Sequence, residues 1–133
     1  MTVHVPAVFS TTAPAHPDHL ATLRHTLSRW LQARRIPRPL SADVVLAAHE
    51  AITDAINHPR HPHTPTTISL FLDADTLVLT ADDHFSWTAP ATDAPSARDA
   101  RLRLISRVAE RVDLSVDADR GSLTAYFPVG DGR

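Results

Sequence analysis

The chain has no cysteine and no lysine, and only three glycines in 133 residues. Without cysteine there are no disulfides and no thiolate metal sites. Without lysine there is no P-loop lysine, no Schiff base and no lysine general base; all thirteen basic residues are arginine. Glycine is confined to Gly121, Gly130 and Gly132. A glycine-rich phosphate loop needs residues that reach φ > 0 and let the backbone close on the phosphates, so no such loop exists here. No apolar run approaches the ~18 residues of a membrane span. The start, Met1-Thr2-Val3-His4-Val5-Pro6, lacks a basic region followed by an apolar one, so the expected location is the cytoplasm. The formal net charge of −2 argues against a nucleic-acid binder that relies on global charge.

What is present suits one domain, 1–133, with its core at about 8–129. By size scaling such a domain buries roughly two-thirds of its unfolded surface and needs no covalent staple. Ala7 to Ala13 reads as a first strand ended by Pro14. Asp18 is the expected cap of a helix to about Arg35, with Leu20, Leu23, Leu27, Trp30 and Leu31 on its buried side. Ile36 to Leu40 reads as a loop. After the proline-rich connector His58 to Pro65, Thr67–Leu72 and Thr76–Ala81 form a hairpin about Asp73-Ala74-Asp75. Residues 82 to 95 are a polar loop. Ser96 with Asp99 resembles a capping box for a helix to about Arg111, with Leu104, Ile105 and Val108 buried. Val112–Val116 and Ser122–Val129 close a last hairpin. Strands and helices come in groups and do not alternate. This predicts an α+β fold, a two-layer sandwich of a mainly antiparallel sheet with about three helices on one face.

The most informative segment is Leu46-Ala47-Ala48-His49-Glu50-Ala51-Ile52-Thr53-Asp54-Ala55-Ile56-Asn57-His58. At 3.6 residues per turn, Val44, Val45, Ala48, Ala51, Ile52, Ala55 and Ile56 form an apolar arc, while Asp43, Glu50, Asp54 and Asn57 form a polar stripe. Ser41 is the expected N-cap and Pro59 the stop. The stripe is either an ordinary solvated face or a row of oxygen ligands able to hold a base and a hard metal ion.

This wording resembles the N-box of the GHKL (Bergerat-fold) ATPases, and within them the anti-sigma-factor serine kinases of partner-switching systems. That pattern is Glu-Ala-x-x-Asn-Ala-x-x-His; Glu50, Ala51, Ala55 and His58 match, and Asp54 stands at the asparagine. The element order matches the same fold from roughly Val8 to Val129, and Asp119 to Pro128 looks like the family's closing Gly-Thr and strand, with Ser122 in it. The resemblance implies Glu50 as the general base. It implies Asp54 as the magnesium ligand, in which case nucleotide binding becomes more metal-dependent. Asp82 would sit on the adenine amino group, with His84 and Ser86 at the following glycine positions. Asp99 and Arg101 take the two glycines of the last box, and Asp99 competes with phosphate at a helix N-terminus.

Each lost contact costs ~1–3 kcal/mol, and a micromolar affinity is worth about 8 kcal/mol. The resemblance with these losses therefore implies an anti-sigma-factor-like regulator that binds a sigma factor or a STAS-type antagonist, with weakened or lost ATP binding. One alternative is an active serine kinase using ATP and magnesium to phosphorylate that antagonist. Another is a small-molecule module in the vacated pocket. Family members commonly pair as homodimers. Neither direct nucleic-acid binding nor a membrane role is implied.

Three further features carry two readings each. His58, His61 and His63 are either a solvated loop or zinc or nickel ligands. Arg98, Arg101, Arg103, Arg107 and Arg111 crowd the last helix. Its Arg103-Arg107-Arg111 line is either a solvated face paired with Glu110 and other acids or a surface for an acidic partner. Phe85 and Trp87 either pack a lid over the emptied pocket or anchor a partner.

Overall fold

The computed structural model describes residues 8–14, 16–57, 65–83, 97–116 and 121–130. Strand β1 (Val8–Pro14) leads through a 3-10 turn (Pro17–His19) into α1 (Leu20–Ala33) and α2 (Arg38–Asn57). The hairpin β2 (Pro65–Asp73) and β3 (Thr76–Asp83) follows, then α3 (Ala97–Val108), β4 (Arg111–Val116) and β5 (Gly121–Pro128). The strands form one sheet in the order β1-β2-β3-β5-β4, and every neighbouring pair is antiparallel. This is the expected α+β architecture, with the long α2 between α1 and α3.

The strand period of two sets which side chains meet the helices. Leu77, Leu79 and Ala81 of β3 pair with Phe127, Ala125 and Leu123 of β5, and Leu79 and Ala81 also with Leu70 and Ile68 of β2. These buried residues share one core with Leu23, Leu27 and Leu31 of α1, Val44, Ala48 and Ala51 of α2, and Ile105 of α3. Trp30 packs on the rim of that core, its ring 6.3 Å from that of Phe9. The opposite parity forms the open face. There Thr12 and Thr67 join hydroxyls at 2.8 Å, and Phe71, Val78 and Tyr126 line up across three strands.

Local chemistry explains where the elements differ from expectation. Helix α2 starts at Arg38, so the predicted loop is shorter and Ser41 is not its N-cap. Pro39 falls in the first turn, where a missing N–H costs no helical bond and the fixed φ suits the helix. The Ser41 N–H already donates to the Pro37 carbonyl at 2.9 Å. Asp18 is not the cap of α1: it lies in the 3-10 turn, which His16 caps with Nδ1 accepting from the Asp18 N–H at 3.1 Å, and the α1 cap position is His19, with no side-chain cap bond.

Among the described residues three positions take the left-handed backbone that glycine favours: Gly130 (φ 77°) and two that are not glycine. Arg35 (φ 60°) ends α1 in a Schellman arrangement, with its N–H on the Gln32 carbonyl at 2.9 Å and the Ile36 N–H on that of Leu31 at 3.0 Å. Leu31 and Ile36 are both buried there, the apolar contact that accompanies this motif. Ala74 (φ 53°) makes the tight turn between Asp73 and Thr76. At the other end of the chain α3 stops at Val108, because the Glu110 N–H donates to the Tyr126 carbonyl at 2.8 Å and draws the backbone into the sheet. Arg111, expected in the last turn of that helix, is therefore the first residue of β4.

Candidate functional site

Helix α2 carries the candidate chemistry, and its polar stripe divides between two flanks. Towards α1, Arg24 Nη1 lies 3.2 Å from His49 Nδ1. A guanidinium can only donate, so Nδ1 is the acceptor and a neutral His49 carries its proton on Nε2. That nitrogen is 4.0 Å from Glu50 Oε2, too long for a hydrogen bond. Glu50 is enclosed but reachable, its side chain 18% exposed. This position suits a carboxylate meant to act on a bound molecule, since it is neither fully solvated nor sealed.

Towards α3, Asp54 is fully buried and Arg101 Nε donates to its Oδ1 at 3.2 Å. The Arg101 side chain is itself only 12% exposed. Asp54 thus leaves the solvated stripe predicted from α2 alone and becomes part of the packing between two helices. A buried carboxylate requires such a partner, because an isolated charge is far too costly to desolvate.

The remaining expected site residues do not converge there. Asp82 pairs with Thr67 and Ser122 and has the strand parity of Val78 and Thr80. Asp82 and Ser122 therefore stand together on the open face of the sheet, with Glu50 and Asp54 on the other side. The strand position with the parity of Leu79 and Ala81 is 83, paired with Gly121. Asp99 is the third residue of α3. His84, Ser86, Phe85, Trp87, Ser96, and the loop with His58, His61 and His63 lie outside the described residues. Among the described residues there is no cluster of three or more His, Cys, Asp or Glu able to hold a metal ion.

The arginine line is broken by the fold. Arg103 and Arg107 are exposed on α3, Arg101 turns inward, and Arg111 lies on β4. Arg111 stacks 4.1 Å above the Tyr126 ring and reaches Asp113 at 3.5 Å. The hydrogen bond with Tyr126 and then the charge of Asp113 raise its pKa further, so it is a permanent cation.

A second surface was not anticipated. A groove of about 650 Å³ runs between α1 and α2, with Ile36, Val45 and Leu46 in it and Arg24, Arg38 and Gln32 beside them. From residue 19 to residue 42 the sequence has five arginines, Arg24, Arg29, Arg34, Arg35 and Arg38, and no acid. In a chain of net charge −2, this is a marked local asymmetry. Its sequence signal was the acid-free run, which a count over the whole chain conceals.

The fold and the α2 residues define a class. Residues 13–125 match the model of the histidine kinase-like ATPase domain, and the chain belongs to that family. The crystal structure of the RsbU and RsbW domains of Rv1364c from Mycobacterium tuberculosis is similar, with TM-score 0.75 and 17% identity over 93% of this chain and 32% of that one. The present chain thus spans about a third of that protein. The crystal structure of the SiaB–SiaC complex from Pseudomonas aeruginosa is similar with TM-score 0.73 and 14% identity, covering 91% of this chain and 90% of that one. At these identities the likeness is one of fold. No curated protein is significantly similar in sequence. No helix among the described residues is long and apolar enough to cross a membrane.

Proposed function

We propose that this protein is a partner-switching regulator that works by binding another protein, a sigma factor or a STAS-type antagonist, with ATP binding weakened or lost. The observation that carries this reading is the α1–α2 groove. Apolar side chains line it, arginines flank it, and no acid occurs in the segment that builds its α1 side. An acidic, amphipathic segment of a partner matches both features, through charge steering at the rim and apolar anchoring below. The fold family and the likeness to RsbU–RsbW and SiaB–SiaC structures support a role of this kind.

The test is binding of purified sigma factors and STAS-type proteins to the full chain and to an Arg24→Glu/Arg38→Glu variant. The expected result is a complex with one of them whose association the variant slows by about tenfold or more at low salt. A complex indifferent to the reversal, or none with either class, removes the reading.

A second reading has its own support in Glu50. It holds the N-box base position, enclosed yet accessible. On this reading the protein is a serine kinase that uses ATP, with Glu50 as base. Transfer of labelled phosphate from ATP to a bound antagonist, lost in Glu50→Ala, is the result that selects it.

A further inference from the structure

Two departures from the family pattern meet in space. Asp54 puts a carboxylate where the N-box has an amide, and Arg101 puts a guanidinium where the last box has glycine. They are 47 positions apart in the chain, yet Arg101 Nε donates to Asp54 Oδ1 at 3.2 Å. The carboxylate is fully buried and the guanidinium nearly so, and a buried charge needs an opposite one beside it. Together they neutralise each other and tie α2 to α3.

We propose that this ion pair replaces the magnesium site of the fold, so that Arg101 is the resident cation between α2 and α3. Magnesium demands near-octahedral oxygen ligands and is held by ionised carboxylates. The one carboxylate at the family's metal position already holds a guanidinium. A dication brought beside it would be repelled by a charge of the same sign. Arginine cannot lose its proton to make room, unlike a lysine, so the block persists at every accessible pH. The expectation from sequence, that Asp54 makes nucleotide binding more dependent on metal, is thereby reversed. The two substitutions are one coupled change, and the α2–α3 tie is permanent where a metal site would be loadable. The inference rests on the family reading of these positions, and does not depend on which protein partner binds the groove.

The experiment is titration of the full chain with ATP and with ADP, in magnesium and in EDTA, followed by calorimetry and thermal melting. The unaltered protein is expected to show the same affinity in both conditions within about twofold, or no binding in either. An Asp54→Asn/Arg101→Gly variant restores the neutral pair of the family. It is expected to bind ATP about tenfold or more tightly in magnesium than in EDTA, and to melt above either single variant. A tenfold magnesium dependence in the unaltered protein overturns the proposal without any variant. So does a folded double variant with no magnesium dependence. Partner binding through the groove is a separate measurement, so failure there leaves this result standing.

Discussion

On its α1 side, helix α2 sets His49 against Arg24 at 3.2 Å; on its α3 side it sets Asp54 against Arg101, also at 3.2 Å. Distance does not distinguish the two contacts, but solvent does. Arg24 is exposed and His49 is 28% exposed, whereas Asp54 has no exposure and Arg101 has 12%. Water competes for the first pair and screens it, so its worth is about 0–1 kcal/mol. The second pair lies where charge cannot be left uncompensated, so losing either member is costly. One helix therefore has a flank free to meet other molecules and a flank committed to holding the fold.

The sharpest way to break this comparison is to remove one member of the buried pair. Arg101→Ala or Asp54→Ala should each lower stability by about 3–5 kcal/mol in urea unfolding. The Asp54→Asn/Arg101→Gly double variant should lose less than the two single changes summed, a coupling visible in a double-mutant cycle. Single losses below about 1 kcal/mol would place the pair in the same class as Arg24–His49.

On the exposed flank, Arg24→Glu/Arg38→Glu should change association with a protein partner by about tenfold, about 1.4 kcal/mol if carried into affinity. Its unfolding free energy should move by no more than about 0.5 kcal/mol. A variant that unfolds readily would show that the groove arginines also hold the fold. Smaller effects belong to the two left-handed positions that are not glycine. Arg35→Gly and Ala74→Gly should each stabilise by up to about 1 kcal/mol, since glycine removes the steric cost of positive φ and returns part of it as chain entropy. Chemical denaturation resolves this. Smallest of all, Arg24→Ala should shift stability by less than about 0.5 kcal/mol, in contrast with Arg101→Ala.

Much of the molecule was legible along the chain. The β2–β3 and β4–β5 hairpins, the apolar side of α1 and the N-box helix all follow from patterns contained within one element. Errors occurred where two elements compete for the same backbone or share a face. Arg111 belongs to β4 because the Glu110 N–H is taken by Tyr126 across the sheet. That Asp82 and Ser122 stand side by side follows from strand pairing, which spacing along the chain does not show. Ser41 has the right chemistry for a cap, yet Pro39 is accommodated one turn earlier and moves the helix start with it.

The sequence by itself determined the order of elements, the α+β class and the family, because periods of 3.6 and 2 and the N-box wording survive in a one-dimensional string. It also determined that nothing here binds phosphate through a glycine loop. Only the tertiary structure decided that Asp54 and Arg101 are a single buried pair and that the two flanks of α2 differ in exposure. Periodicity fixes the phase of a side chain about its own helix or strand. The partner it meets across the core, and the water it keeps or loses there, depend on how separate elements pack.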